Sequence, residues 1–341
     1  MNILSLFDGI SCGRVALERA GIPVEKYYAS EIEMSAQQIS KMNYPDIINV
    51  GDVNYWRLWI ERLPKIDLLI GGSPCTNLSS IGKQAGFDEG SGTQSSLFHV
   101  MKDIYFWLLK NNNPNCHILL ENVFTKPQWE QQITDALKLS ERMGKEYQPT
   151  KINSSLVSAQ LRPRNYWCSW DTTIPENKNI NLQDILESGF AYQPKSHALL
   201  RSYDCSIPYH SFEFKMNTLV AEKAEPDPTN HLNNKTYHSY EVKNGVMTMP
   251  AIKQRKKTGT SEKVIYKFPV ELPDGWYRFR GFTRRELERL QTLPDGYCGD
   301  TPYKQVAEAC GNGWTVDVIT HLFKNLTKQY PEFLKPLYAQ Q

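Results

Sequence analysis

Residues 67–79 read DLLIGGSPCTNLS, and the first half of that stretch decides the fold. An unbroken apolar run bounded by glycines has the pattern of a short strand buried on both faces, as in a parallel sheet covered by helices. Pro74 and Cys75 then stand at the carboxyl end of that strand, the edge at which open parallel sheets bind ligands. A cysteine set there after a proline suits an aimed nucleophile. A small buried hydrophobe is the alternative, and the commoner fate of a free cysteine.

A chain of 341 residues can bury one large core or two modest ones, so a main domain carrying a smaller one is expected. The formal net charge of +2 neither demands nor excludes a nucleic-acid partner, because binding needs a local basic surface rather than a basic average. Seven cysteines and seven histidines show no CxxC pair and no metal-ligand spacing, which suggests neither zinc nor a disulfide framework and fits a reduced, intracellular setting. Met1 and Asn2 lead straight into apolar Ile3 to Leu6, with no basic region and no run long enough to cross a bilayer. The expectation is a soluble, unprocessed protein.

Upstream of the opening stretch, Ile3 to Leu6 reads as a first strand, followed by Phe7, Asp8, Gly9 and a helix from about Gly13 to Ala20 that stops at Gly21. Gly9 permits close approach of a ligand, and amides opening a helix favour a carboxylate or phosphate. Tyr27 to Ser30 is a second strand with Glu31 at its tip, at a spacing where an acid can take ribose hydroxyls. An adenosine-containing cofactor is one reading of this unit, and an ordinary strand-to-helix turn is the other. Ser11 and Cys12 stand where a dinucleotide turn needs glycine, which argues against a pyrophosphate. Ile47 to Val50 is a third apolar run, and Asp52 with Val53 after it could hold an adenine amino group and ring face.

Downstream, residues 76–96 are rich in Gly, Ser and polar residues, as expected of a functional lid. Leu97 to Leu109 has helical spacing, with Phe98, Met101, Ile104, Tyr105 and Leu108 on one face. His117 to Leu120 reads as a buried strand with Glu121 and Asn122 at its end, where partial burial would raise the carboxyl pKa. Pro127 suits a first helical turn, and Trp129 to Met143 reads as that helix. In VSAQLRPRNYWCSW (157–170) the period-two placing of Gln160, Arg162 and Arg164 puts them on one face of an extended segment, in isolation an exposed edge strand. From Asp171 to Trp276 the chain turns polar, as a separate small domain or insertion would. It carries the basic residues Lys253, Arg255, Lys256 and Lys257, then Lys263, Lys267, Arg278 and Arg280, interleaved with Tyr266, Trp276, Tyr277 and Phe279. Such a mixture can hold phosphates and stack on bases, or can be a solvated face. Thr283 opens a helix through Gln291, and residues 311–326 form a glycine turn feeding an amphipathic helix that could pack back on the first domain.

Taken in order, LFDGISCG, ASEIE, GDV, GGSPC, GTQSSLF, LLENV, SAQLRPR, FTRRELERLQTLP and GNGWTVDVI resemble the DNA cytosine-5 methyltransferases nearly end to end, most closely their de novo branch. Ser11 replaces the middle glycine of the usual family turn. The resemblance implies an α/β fold, a Rossmann-like S-adenosylmethionine-dependent methyltransferase sheet with a smaller target-recognition domain. It also implies a catalytic and cofactor-binding domain over 1–170, target recognition over 171–276 and a returning segment over 277–341. The implied partner is double-stranded DNA, without metal or membrane. The implied location is cytoplasmic in a prokaryotic or phage-encoded setting, or nuclear in a eukaryote.

By the same resemblance, Asp8, Gly9, Ile10, Ser11 and Cys12 would cradle the methionine part, Glu31 the ribose, and Asp52 with Val53 the adenine. Asn312, Gly313 and Trp314 would close over the cofactor, with Phe7, Ile32, Pro74 and Leu97 completing its site. Cys75 would add to C6 of cytosine, because C5 is too poor a nucleophile to attack a methyl sulfonium unaided. Glu121 would act at N3, Arg164 near O2, and Arg162 would help to position Glu121. Lys253, Arg255, Lys256 and Lys257 would meet DNA phosphates. A transfer-RNA cytosine-5 methyltransferase is the nearest rival, and the insertion after Asp171 argues for DNA against it. A non-catalytic DNA-binding relative is disfavoured by the presence of Cys75, Glu121 and Arg164. The motifs leave the target sequence, the oligomeric state and any restriction endonuclease partner open.

Overall fold

The structure, a computed structural model, describes residues 1–73, 97–200, 212, 218–226, 239–254 and 261–335. Five parallel strands form most of one sheet: β1 (Asn2–Leu6), β2 (Lys26–Ser30), β3 (Ile48–Asn49), β4 (Leu68–Gly72) and β5 (His117–Val123). Two further strands, β6 (Thr150–Asn153) and β8 (Pro163–Cys168), extend it in the order β3-β2-β1-β4-β5-β8-β6, with β8 antiparallel to both its neighbours. The chain leaves β1 in one direction to reach β2 and returns on its other side as β4, a switch point that opens a crevice at the strands' carboxyl ends.

Alternation along each strand loads both faces. Ile3, Leu68, Ile70 and Leu119 face a cluster shared with α1 (Cys12–Arg19), α2 (Met34–Asn43) and α8 (Val316–Gln329), the helices α6 (Arg284–Leu290) and α7 (Tyr303–Asn312) also joining it. Leu4, Leu69, Ile118 and Leu120 face the opposite cluster, built with α3 (Leu97–Asn111), α4 (Pro127–Ala136) and α5 (Leu139–Met143). The residues of α3 that are buried are Phe98, Met101, Ile104, Tyr105 and Leu108, the five on its expected apolar face. No helix among the described residues is long and apolar enough to cross a membrane.

Four expectations are corrected. Glu121 and Asn122 lie inside β5, not beyond its end, because β8 continues the pairing as far as Val123 opposite Arg164. The helix expected over 129–143 is two helices, parted at Leu137 and Lys138, where Lys138 has φ +52°. The extended segment around Arg162 is divided between β7 (Gln160–Leu161) and β8, which opens on Pro163, where a missing N–H is tolerated. It is no solvated edge: β8 lies between β5 and β6, and Gln160 and Arg162 are buried. Finally, a boundary at Trp276 would cut a strand.

That strand is β14 (Gly275–Arg280), second in a sheet ordered β10-β14-β11-β12-β13, where β10 is Val220–Lys223, β11 Tyr240–Lys243, β12 Val246–Gln254 and β13 Ser261–Pro269. Its own core gathers Tyr192, Leu219, Ala221, Val242, Met247 and Tyr277. Leu182, Ile185 and Leu199, by contrast, belong to the first sheet's core, so the stretch after Asp171 begins as part of the larger body. There β9 (Ser196–His197) pairs with β7.

Candidate active site

Three strand ends converge at the carboxyl edge. Gly72 of β4 is in register with Glu121 of β5, and the Arg164 guanidinium reaches Glu121 from β8, Nε to Oε1 at 2.9 Å. The other carboxylate oxygen, Oε2, accepts the indole N–H of Trp314 at 3.2 Å. Both side chains of the Glu121–Arg164 pair are largely buried, at 11% and 16% exposure, so the two charges are matched where solvent screens them weakly. Beside it, Asn122 donates to Ser73 Oγ at 3.1 Å and ties the end of β4 to β5. Ser73 is the last described residue before Pro74 and Cys75, which lie outside the described residues, as does the expected lid over 76–96.

Arg162, expected to help position Glu121, is buried beside the turn that presents Trp314. Its guanidinium donates to the carbonyls of Gly311 at 3.2 Å and Gly313 at 3.0 Å, and to Leu199 at 3.3 Å. It therefore fixes the turn that presents Trp314, while the ion pair on Glu121 is made by Arg164. Gln291 adds to the same turn by donating to Cys310 O at 2.6 Å.

On the other side of the switch point, the turn after β1 alternates into the left-handed region at Phe7 (φ +56°), Gly9 (+58°) and Ser11 (+59°). Nothing lies within 4 Å of where a Gly9 Cβ would stand, so the space over the turn is open. Glu31 closes this loop: Oε2 accepts the Gly9 N–H at 2.7 Å and Oε1 accepts those of Ile32 and Glu33. Its neighbour Ile32 is 65% exposed, an apolar surface set at a strand tip. Asp52 is half-buried and caps the next turn through the N–H of Asn54. Asp8 and Glu31 line one cleft here with Lys41 and Ser40. An anionic, partly apolar row along β2 and β3, with open space over a glycine turn, fits an adenosine bearing an amino-acid tail.

Other expected cofactor residues are placed less directly. Ile10, Ser11, Cys12 and Val53 are buried, so they offer backbone rather than side chain. Burial pushes the Cys12 thiol up to about 12. Leu97 opens α3 half-buried, Asn312 is exposed and Gly313 is buried. Among the basic residues, Lys253 lies on β12, and Arg255, Lys256 and Lys257 lie outside the described residues. Arg278, 55% exposed, and Arg280 are both paired to Glu222, and Tyr277 is core.

Sequence reasoning gave Gly72 no role at the site and named Asn122 and Tyr27 only as strand residues. The doubled glycine before Ser73 was the available signal for the first, since only a missing side chain explains a glycine within a buried strand.

The family model for C-5 cytosine-specific DNA methylase matches residues 1–328. The Type II methyltransferase M.NlaIV of Neisseria lactamica is 26% identical over 318 residues, 86% of this chain and 69% of that protein. M.NgoBI of Neisseria gonorrhoeae, also a Type II methyltransferase, is 26% identical over 333 residues, 96% and 93% of the two chains. Among solved structures, the Entamoeba histolytica methyltransferase EhMeth aligns with a TM-score of 0.60 at 14% identity over 97% of this chain and 98% of that one, a likeness of fold.

Proposed function

The chain belongs to the C-5 cytosine-specific DNA methylase family, and from that premise we propose how its residues carry a methyl group from S-adenosylmethionine to C5 of a DNA cytosine. The fold is the Rossmann-like sheet of S-adenosylmethionine-dependent methyltransferases. The cofactor supplies an electrophilic methyl when bound. Phe7 to Gly9 would hold its amino-acid end, Glu31 the ribose, and Ile32 and Asp52 the adenine, with Asn312 and Trp314 over it.

The target base must leave the duplex to reach this edge, at a cost of a few kcal/mol. Cys75 Sγ, as thiolate, adds to C6, and the electron pair displaced from the C5–C6 bond makes C5 nucleophilic. Glu121 would deliver a proton to N3, a lone-pair acceptor, so that the ring can take that charge, while Arg164, beside Glu121, neutralises what gathers at O2. After methylation C5 loses its proton to a base and the C6–S bond breaks, returning the electron pair to sulfur. Residues 201–279 would read the sequence context, and Lys253 to Lys257 would meet phosphates.

The observation that carries this reading is the Glu121 carboxylate, gripped by Arg164 and set against the strand end that leads into Pro74 and Cys75. DNA bearing 5-fluorocytosine at the target cannot release a C5 proton, so wild-type enzyme with cofactor should trap a covalent adduct on a denaturing gel. Cys75→Ala should give none, and Glu121→Gln should form it about 10²-fold more slowly. An undiminished adduct from Cys75→Ala would remove this cysteine from the chemistry.

A further inference from the structure

We propose that Ser5, Ser11 and Tyr27 form a hydroxyl cage that keeps the Asp8 carboxylate ionised and aimed at the cationic amino-acid end of the cofactor, so that the charge on Asp8 gates cofactor capture. This rests on the cofactor site assigned above and adds to it what selects the ligand's amino group.

Three hydroxyls converge on one carboxylate. Oδ1 of Asp8 accepts from Ser5 Oγ at 2.6 Å and from Tyr27 OH at 2.7 Å, and Oδ2 accepts from Ser11 Oγ at 2.5 Å. Ser11 has a single hydroxyl proton and gives it to Asp8, so its second contact, 2.5 Å to Ser40 Oγ on α2, has Ser40 as donor. The cage thus runs from β1 and β2 through the turn to α2 with every proton pointing towards Asp8. A carboxylate offers about four acceptor positions, and three are taken. Asp8 also lines a small cleft with Glu31 and Lys41, and in this proposal its remaining acceptor position takes the ligand's N–H. Ser11 has a left-handed backbone and a fully buried side chain whose hydroxyl meets both Asp8 and Ser40.

Charge makes the arrangement sensitive to acid. Burial pushes Asp8 up to about 6, the three hydroxyls opposing that rise and the Glu31 carboxylate on β2 adding to it. The other titratable groups around it are Lys41 in the same cleft, and Tyr27, Cys12 and Tyr297 on its inner side, all three held protonated by burial. Removing one hydroxyl removes a bond to the ionised form, so protonation then begins at higher pH.

Titration calorimetry of the full chain from about pH 5 to 8 tests this with three ligands: S-adenosylmethionine, S-adenosylhomocysteine and methylthioadenosine, the last lacking the amino-acid end. For wild type, the first two should lose about tenfold in affinity per pH unit below an inflection near 6, and methylthioadenosine should stay flat. Tyr27→Phe keeps the ring, and Ser5→Ala removes the other hydroxyl on Oδ1. Each should move the inflection up by about one unit with methylthioadenosine affinity unchanged, which also shows that the pocket is intact. Asp8→Asn should abolish the inflection. An unmoved inflection in both cage variants, or the same pH dependence for methylthioadenosine, would overturn the cage. Failure of wild type to bind any of the three would instead overturn the cofactor site itself.

Discussion

At position 72 only a hydrogen fits. A Cβ there would stand 2.8 Å from Glu121 Oε2 and 2.8 Å from Trp314 Nε1, inside the bond that joins the two. Gly72→Ala must therefore displace the carboxylate or the indole, and the Arg164 contact with it. A displacement of about 1 Å costs roughly 10²-fold in a positioned reaction, whereas overpacking costs only about 1–3 kcal/mol of stability. We expect a folded variant whose adduct formation on 5-fluorocytosine DNA falls by about two orders of magnitude. A rate within twofold of wild type would show that Glu121 tolerates the shift.

At the level of elements, β5 serves two ends of the molecule: Glu121 near its finish and His117 at its start. His117 is buried against Tyr330 and Phe333, ring centroids 4.5 and 5.6 Å away, and Ser169 Oγ lies 3.2 Å from Nδ1. Burial lowers its pKa to about 4, with the Arg142 charge adding to the effect. The unfolded chain, with His117 near its ordinary 6.5, binds this proton more readily than the folded one. Stability should thus be intact above about pH 6.5 and fall as pH drops towards 4, by about 3 kcal/mol from this residue. Urea melts of His117→Phe should lose that part of the acid dependence, and an identical slope in both proteins would count against it. The same strand shows what could be read beforehand. Apolar runs and the one-sided spacing of α3 reflect burial close along the chain, so strands and helix faces were legible. The break at Lys138 was not, since Leu137 and Leu139 are ordinary helix formers. Both are buried, yet residues two apart in a continuous helix point to opposite sides, so packing parts the helix. Arg162 was equally opaque, because the carbonyls that receive it lie at Leu199, Gly311 and Gly313, far along the chain.

For the whole molecule, Arg280 ties the second sheet to α6, a helix of the larger core. Its guanidinium grips the fully buried Glu286 of α6 at 2.7 and 2.9 Å while reaching Glu222 on β10. An exchange of residues 171–276 would cut β14 and remove Leu182, Ile185 and Leu199 from the larger core. An exchange of 201–279 keeps those three core residues and Arg280, and takes the rest of β14 together. We expect the second chimera to methylate the donor's sites, as mapped by bisulfite sequencing, and the first to melt at least several degrees lower. Retention of the parental sites by the 201–279 chimera would place target reading elsewhere. The packing of α8 on α1 also has a bearing on synthesis. The turn after β1 is made some three hundred residues before Trp314 and the apolar face of α8 that packs against α1. Until residues 314–329 are made, Glu121 lacks the indole N–H that it accepts and α1 lacks one of the helices packed on it, so the proposed site is completed late in synthesis.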